Sequence, residues 1–130
     1  MMGRTNISSG SPFEPKFGYS RAVKVGNMVF VSGSTAIQPD GSVAGVGDPY
    51  TQTVETFKTI ENALQQAGAS FRNVVRTRIF ITDINHFEAI QKVHVELFGS
   101  IRPASTLVEV PRLIHPDMLV EIEVDAVIPD

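Results

Sequence analysis

The chain has no cysteine among its 130 residues. That absence removes disulfide frameworks, thiol nucleophiles, iron–sulfur clusters and cysteine-based zinc sites, and it sets the expectation of a cytoplasmic protein. A basic excess is missing too, with 11 Lys and Arg against 14 Asp and Glu and a net charge of −3. Such a balance argues against nucleic acid as a partner, because polyanion binding needs a broad positive surface. No stretch approaches the roughly 20 apolar residues that span a bilayer. The opening MMGRTNISSGSPFEPKFGYS holds no apolar run of the kind found in a secretory signal. No membrane association is expected.

Metal chemistry is equally thin. The histidines are His86, His94 and His115, and on one continuous helix the first two lie about 12 Å apart at ~1.5 Å rise per residue. They cannot share an ion. GSVAGVGDP has glycines but neither the lysine nor the hydroxyl of a phosphate loop. The residues call for no metal and no cofactor.

What is present is a clear alternation of periods. At 130 residues one domain is the simplest organisation. Residues 1–16, rich in Ser, Gly and Pro, read as a flexible N-terminal arm ordered only if something holds it, with the domain proper at 17–130. SRAVKVGNMVFVSGS predicts strands over 21–25 and 28–32, joined by a two-residue Gly26-Asn27 turn. Asp48 then Pro49 supplies an N-cap and a first-turn proline, and Gly68 a C-terminal stop. Between them Tyr50, Val54, Phe57, Ile60, Leu64 and Ala67 recur at helical spacing.

NVVRTRIFITDI alternates again, with Val75, Thr77, Ile79 and Ile81 on one face and Arg76, Arg78 and Phe80 on the other. A second helix is predicted from about Asn85, turning Phe87, Ile90, Val93 and Leu97 inward. Strands near 105–110 and 119–127 close the chain. The order β-β-α-β-α-β-β has too few helices to cover both faces of a sheet, so both are expected on one face of an α+β two-layer sandwich.

The uncovered face is charged. Opposite Val120, Ile122, Val124 and Ala126 the last strand carries Glu121, Glu123 and Asp125, and Arg76 and Arg78 can compensate them if the two strands are neighbours. Leu107, taken to point the same way as Ser105 and Glu109, and Phe80 make this face mixed in polarity. A closed symmetric assembly would cover it.

Glu121 leaves a Pro116-containing loop to enter an apolar strand. A half-buried carboxylate beside a cleft can hold and activate water; an ordinary polar-face residue would look the same in sequence. Ser105 and Thr106 have no histidine at recognisable spacing, which speaks against a serine nucleophile. Their hydroxyls orient a ligand or cap a loop.

GYSRAVKVGNMVFVSG, AGAS, NVVRTRIFITDINHF and RPASTLVEVPRL…LVEIE together resemble the Rid family, also called YjgF, of reactive-intermediate deaminases, over residues 17–128. The resemblance implies a chorismate-mutase-like fold with a mixed sheet, a homotrimer, and a small-molecule cleft at each subunit boundary. Similar proteins hydrolyse imines and enamines to carbonyl compounds and ammonia. Glu121 matches the water-positioning glutamate, Tyr19 the tyrosine that closes over the ligand, and Ser32 with Gly33 the main chain that orients it.

Ser105 stands where the family pattern has an arginine that clamps a substrate carboxylate. Such a contact is worth roughly 1.5–3 kcal/mol, about 10- to 150-fold in binding, and a serine hydroxyl does not replace it. Either another cation serves, with Arg21 and Arg102 nearest in sequence to the matched positions, or the substrate range is shifted. Arg21 is preferred because it shares a face with Tyr19. Three functions remain open: an imine or enamine hydrolase of shifted range, a non-catalytic metabolite-binding trimer and, ranked last, an endoribonuclease.

Overall fold

The computed structural model describes residues 3–130. Six strands form one mixed sheet, β1 (Arg4–Ile7), β2 (Ala22–Val25), β3 (Met28–Ser34), β4 (Val74–Ile81), β5 (Ala104–Glu109) and β6 (Val120–Val127), in the order β1-β2-β3-β6-β4-β5. Only β4 and β5 run parallel, which the intervening crossover helix requires. The helices are α1 (Phe13–Phe17), α2 (Pro49–Gln66) and α3 (Phe87–Phe98).

The hairpin forms as its turn dictates. Val25 pairs with Met28 across Gly26, whose φ of 60° suits the left-handed turn position. α2 begins where the Asp48 carboxylate accepts the Thr51 N–H at 3.1 Å, with Pro49 following, and ends before Gly68 at φ 81°. Phe57, Ile60 and Leu64 from α2 and Ile90, Val93 and Phe98 from α3 pack on Val29, Val31, Ile79, Ile81, Ile122 and Val124 of the sheet. One helical layer thus covers one sheet face, the chorismate-mutase-like arrangement expected.

Four local expectations are corrected. The segment read as an arm contributes β1, which pairs antiparallel with β2 from Arg4 opposite Val25 to Ile7 opposite Ala22, and then α1; the free edge of β2 is what holds it. In β4 a bulge between Val74 and Arg76 shifts the alternation, so Val74 is buried and Val75 exposed. Phe87 is largely exposed because a 3₁₀ turn at Ile84–His86 rotates the start of α3. Leu107 and Ser105 face the helical layer: Leu107 packs on the core and Ser105 bonds to the buried Thr77.

The charged face behaves as its pattern predicts. β4 and β6 are neighbours, with Arg78 opposite Glu123 and Arg76 opposite Asp125. Arg78 reaches both Glu123, at 3.3 Å, and Asp125, at 3.2 Å. These half-exposed pairs contribute at most ~1 kcal/mol each, and they leave Glu121 without a basic partner of that kind.

Candidate functional site

The site starts from a defect in pairing. β3 meets β6 at Val31 opposite Val124 and again at Ser34 opposite Ile122, three steps against two, so one extra residue bulges at Ser32–Gly33. The bulge is tied down from the residues that lead into β2: Ser32 N–H donates to the Arg21 carbonyl at 2.9 Å and Ser32 Oγ to the Ser20 carbonyl at 2.6 Å. Gly33 is glycine for a reason of space. A Cβ there would run into the Glu121 carboxylate, which lies across it.

Arg21 fills the strand end beneath this bulge and is only 6 % exposed. Its Nη1 donates to the Gly33 carbonyl at 2.7 Å and to Ser34 Oγ at 3.0 Å, and its Nη2 to the Tyr19 hydroxyl at 2.8 Å. The guanidinium also lies 5.3 Å from the centre of the Tyr19 ring. Burial pushes the Glu121 carboxyl above the usual carboxylate range; the nearby Arg21 charge opposes that and Glu123 adds to it. A carboxyl so placed holds a proton closer to neutrality, which general acid–base work needs.

Over these groups opens a cavity of about 850 Å³ whose lining includes Tyr19, Arg21, Ser32, Gly33, Glu121 and Glu123, with Phe13, Phe17, Ile114 and Met118 as its apolar wall. The former arm supplies one side. Glu14 of α1 is buried beside it and accepts from Ser9 N–H at 3.1 Å and Ser9 Oγ at 2.6 Å. Burial raises this carboxyl, but bonds from Ser9 and Ser8 and the Arg21 charge outweigh burial and hold it below the usual range. Among the described residues no cluster of His, Asp and Glu could hold a metal ion, and no helix is long and apolar enough to cross a membrane.

Of the residues singled out in the sequence, five meet here: Tyr19, Arg21, Ser32, Gly33 and Glu121. Three do not. Thr106 is on the same sheet face but two strands away, opposite Arg78, roughly 10 Å at the usual strand spacing. Ser105 accepts from Thr77 Oγ1 at 2.7 Å on the helical side, and Thr77 Oγ1 lies 3.0 Å from His94 Nε2. His94 is thus connected to Ser105 through a threonine, a link no spacing rule would find; burial lowers its affinity for a proton. Arg102 caps α3 in the left-handed conformation, φ 57°, donating its N–H to the Phe98 carbonyl at 2.8 Å. That geometry ends α3 and turns the chain toward β5.

The sequence also gave no sign of Gln52. Fully buried on α2, it donates to the Gly45 carbonyl at 3.2 Å and the Asp117 carbonyl at 2.7 Å and accepts from Leu119 N–H at 2.9 Å. It fastens the loop that delivers Glu121. A glutamine inside an otherwise apolar helical face is the only trace this leaves in sequence.

Comparison with known proteins covers almost the whole chain. A family model described as endoribonuclease L-PSP matches residues 10–128. The 3-aminoacrylate deaminase RutC of Acinetobacter baylyi is 37 % identical over 116 residues, 89 % of this chain and 90 % of that protein. An uncharacterized protein of Streptomyces coelicolor is 41 % identical over 120 residues, 92 % and 89 % of the two chains. The crystal structure of Rv2704 from Mycobacterium tuberculosis, described as a member of the YjgF/YER057c/UK114 family, superposes with a TM-score of 0.89 at 48 % identity, over 97 % of this chain and all of that one.

Proposed function

Because the chain belongs to the endoribonuclease L-PSP family, which is also the YjgF or Rid family, we propose that it hydrolyses a small imine or enamine to a carbonyl compound and ammonia. The observation that carries this reading is the Glu121 carboxyl, raised by burial and laid across Gly33 in the cavity. The deaminase named among its relatives, RutC of Acinetobacter baylyi, supports the same class of chemistry.

An enamine reaches the imine by tautomerisation. Glu121 takes a proton from water while the water oxygen bonds to the carbon of the protonated imine, and the C=N electron pair moves to nitrogen. The protonated Glu121 then gives its proton to that nitrogen. The C–N bond breaks, ammonia leaves, and the hydroxyl loses its proton to solvent as C=O forms. Glu121 is base in the first step and acid in the second, a role suited to a pKa closer to neutrality. Tyr19 and the Ser32–Gly33 main chain fix the ligand.

Ser105 and Thr106 join this site only when β5 of another copy closes over the cavity, and a homotrimer is the assembly proposed. With serine at position 105 in place of the family's arginine, the substrate range is shifted from that of the deaminating relatives. Ammonia release from enzymatically generated 2-aminoacrylate and longer imines is the direct assay. Turnover above buffer that disappears in Glu121→Gln supports hydrolysis; rates equal to buffer across the imines reject it, and ligand-dependent thermal stabilisation without product would then mark a binding module. RNA cleavage, which the family description names, finds no electrostatic footprint in a chain of net charge −3.

A further inference from the structure

A chain of three polar side chains crosses the helical side of the sheet, and none of its members lines the cavity or takes part in hydrolysis by Glu121. Ser105 is exposed on the outer strand β5, Thr77 is fully buried on β4, and His94 of α3 is half-buried behind them. Thr77 Oγ1 is 2.7 Å from Ser105 Oγ and 3.0 Å from His94 Nε2. Two aromatic rings keep the imidazole in place, with centroids 4.9 Å away at Phe98 and 6.4 Å away at Phe57.

A hydroxyl has one proton to give. Thr77 donates it to His94 or to Ser105, never to both. With a proton on Nε2 the ring donates to Thr77, Thr77 donates to Ser105, and the Ser105 proton is left to point outward. With Nε2 bare, Thr77 turns its proton to the ring, Ser105 donates to Thr77, and the lone pairs of Ser105 face outward. Both arrangements keep the same heavy atoms in place and differ only in what the exposed hydroxyl offers. An imidazolium has protons on both nitrogens and permits the first arrangement alone, whereas the neutral ring permits both, one for each tautomer.

On the elements packed against the ring, the charged residues closest to its contacts are Lys58 and Glu61 of α2 and Lys92 and Glu96 of α3. Arg76 and Arg78 of β4 face Asp125 and Glu123 on the other side of the sheet, and Glu109 of β5 accepts from the Ile84 N–H. None of these moves the proton affinity of His94, which burial alone lowers. The ring therefore takes its proton below the ordinary histidine value of about 6.5.

We propose that His94 is a positioning residue: through Thr77 it sets the direction of the Ser105 hydroxyl, so that position 105 offers a ligand only a donor when the ring carries a proton and either a donor or an acceptor when it does not. The consequence for a ligand rests on the deaminase reading in which β5 of one copy closes over the neighbouring cavity. A ligand that needs an acceptor at position 105, as the N–H of an imine does, is then held less well as pH falls through the titration of His94.

The test follows both ends of the chain by NMR in one sample. Across the histidine range the Ser105 ¹³Cβ resonance of the wild type should move with the midpoint of the His94 ring. Thr77→Val should abolish the movement at Ser105 while His94 still titrates, and Thr77→Ser should restore it. Ser105→Ala should lower the His94 midpoint, because Thr77 is then free to donate to the neutral ring, as reciprocal coupling requires. A histidine that only packs would titrate with Ser105 unmoved. Should the Thr77 variants fail to fold, the wild type and Ser105→Ala, a change at an exposed position, decide. A Ser105 resonance flat through the His94 titration, movement that persists in Thr77→Val, or an unchanged midpoint in Ser105→Ala overturns the proposal. Ammonia release separates it from the deaminase reading. The ratio of wild-type to Ser105→Ala turnover should fall with pH through the His94 midpoint, and a constant ratio overturns the positioning role. Coupled titration in a chain that releases no ammonia keeps the control of Ser105 by His94 and overturns the deaminase; release with a flat Ser105 overturns that control and keeps the deaminase.

Discussion

Glu121 is held between a charge that would ionise it and a burial that would not, and burial prevails. The sign of the consequence follows. With the native pKa above the unfolded one, the folded chain binds more protons between about pH 4.3 and the raised value, so stability from this group is full below that window and lost as pH rises through it. Glu121→Gln removes the loss. Its melting temperature should equal or exceed that of the wild type at pH 7.5, the difference should shrink toward pH 4, and ammonia release should vanish; a clear drop in melting temperature at pH 7.5 would show that Glu121 stabilises the fold. Gly33 gives a second handle. Gly33→Ala drives a Cβ into the Glu121 carboxylate, which must swing aside into the cavity, and should cost up to about 1 kcal/mol. In the Glu121→Ala background the obstruction is gone and most of that cost should disappear, a coupling that denaturant titration of the four proteins measures. Additive costs would place the strain elsewhere.

Among the elements, the strongest constraint on β5 is the residue that precedes it. Arg102 holds φ 57°, which costs a side-chain-bearing residue roughly 1–2 kcal/mol, and the following proline disfavours that helical-type conformation further. Arg102→Gly should stabilise the chain by about 0.5–1 kcal/mol net of the added freedom of the unfolded state; denaturant midpoints compare the two, and a loss of stability would show that the guanidinium has a contact of its own. Gln52 works in the opposite direction. Gln52→Leu strips two carbonyls and one N–H of their partner and should cost roughly 2–4 kcal/mol, with faster amide exchange at Leu119 as its local mark. The contrast shows which parts of the fold could be read from the sequence. α2 was legible because Asp48, Pro49 and Gly68 punctuate a 3.6-residue period, and the hairpin because Gly26-Asn27 interrupts a period of two. The bulges at Ser32–Gly33 and Val75 were not, since an extra residue leaves composition unchanged and only the pairing partner reveals it. β1 escaped for the same reason: RTNI becomes a strand through the open edge of β2. At the site Glu121, Tyr19, Ser32 and Gly33 were legible through their motifs and Arg21 through the face it shares with Tyr19, whereas Gln52 behind the loop and the Ser105–Thr77–His94 connection depend on tertiary approach.

For the molecule as a whole the unanswered surface is the sheet face without helices. Met28, Phe30, Val75 and Val108 are each more than 40 % exposed there, interleaved with the Arg78–Glu123–Asp125 cluster. A hydrophobic patch with a charged frame fits a contact with other copies of the chain better than bulk water, and head-to-tail closure around an axis is an economical way to cover it. Light scattering on the eluted protein should give three times the 14.2 kDa of one chain; a single-chain mass at micromolar concentration would exclude the assembly. The same assembly determines what position 105 can do. In a lone chain Ser105→Arg lies on the outer strand, away from the residues that line the cavity, and should leave ligand binding unchanged. In a trimer that closes β5 over a neighbouring cavity, the new guanidinium would reach a ligand carboxylate held there. It should then strengthen binding of 2-oxo acids by about 10-fold or more and raise hydrolysis of 2-aminoacrylate, the smallest imine precursor, most of all. A trimer in which that substitution changes neither affinity nor rate would place β5 away from the cleft, and the site would then be complete within each chain.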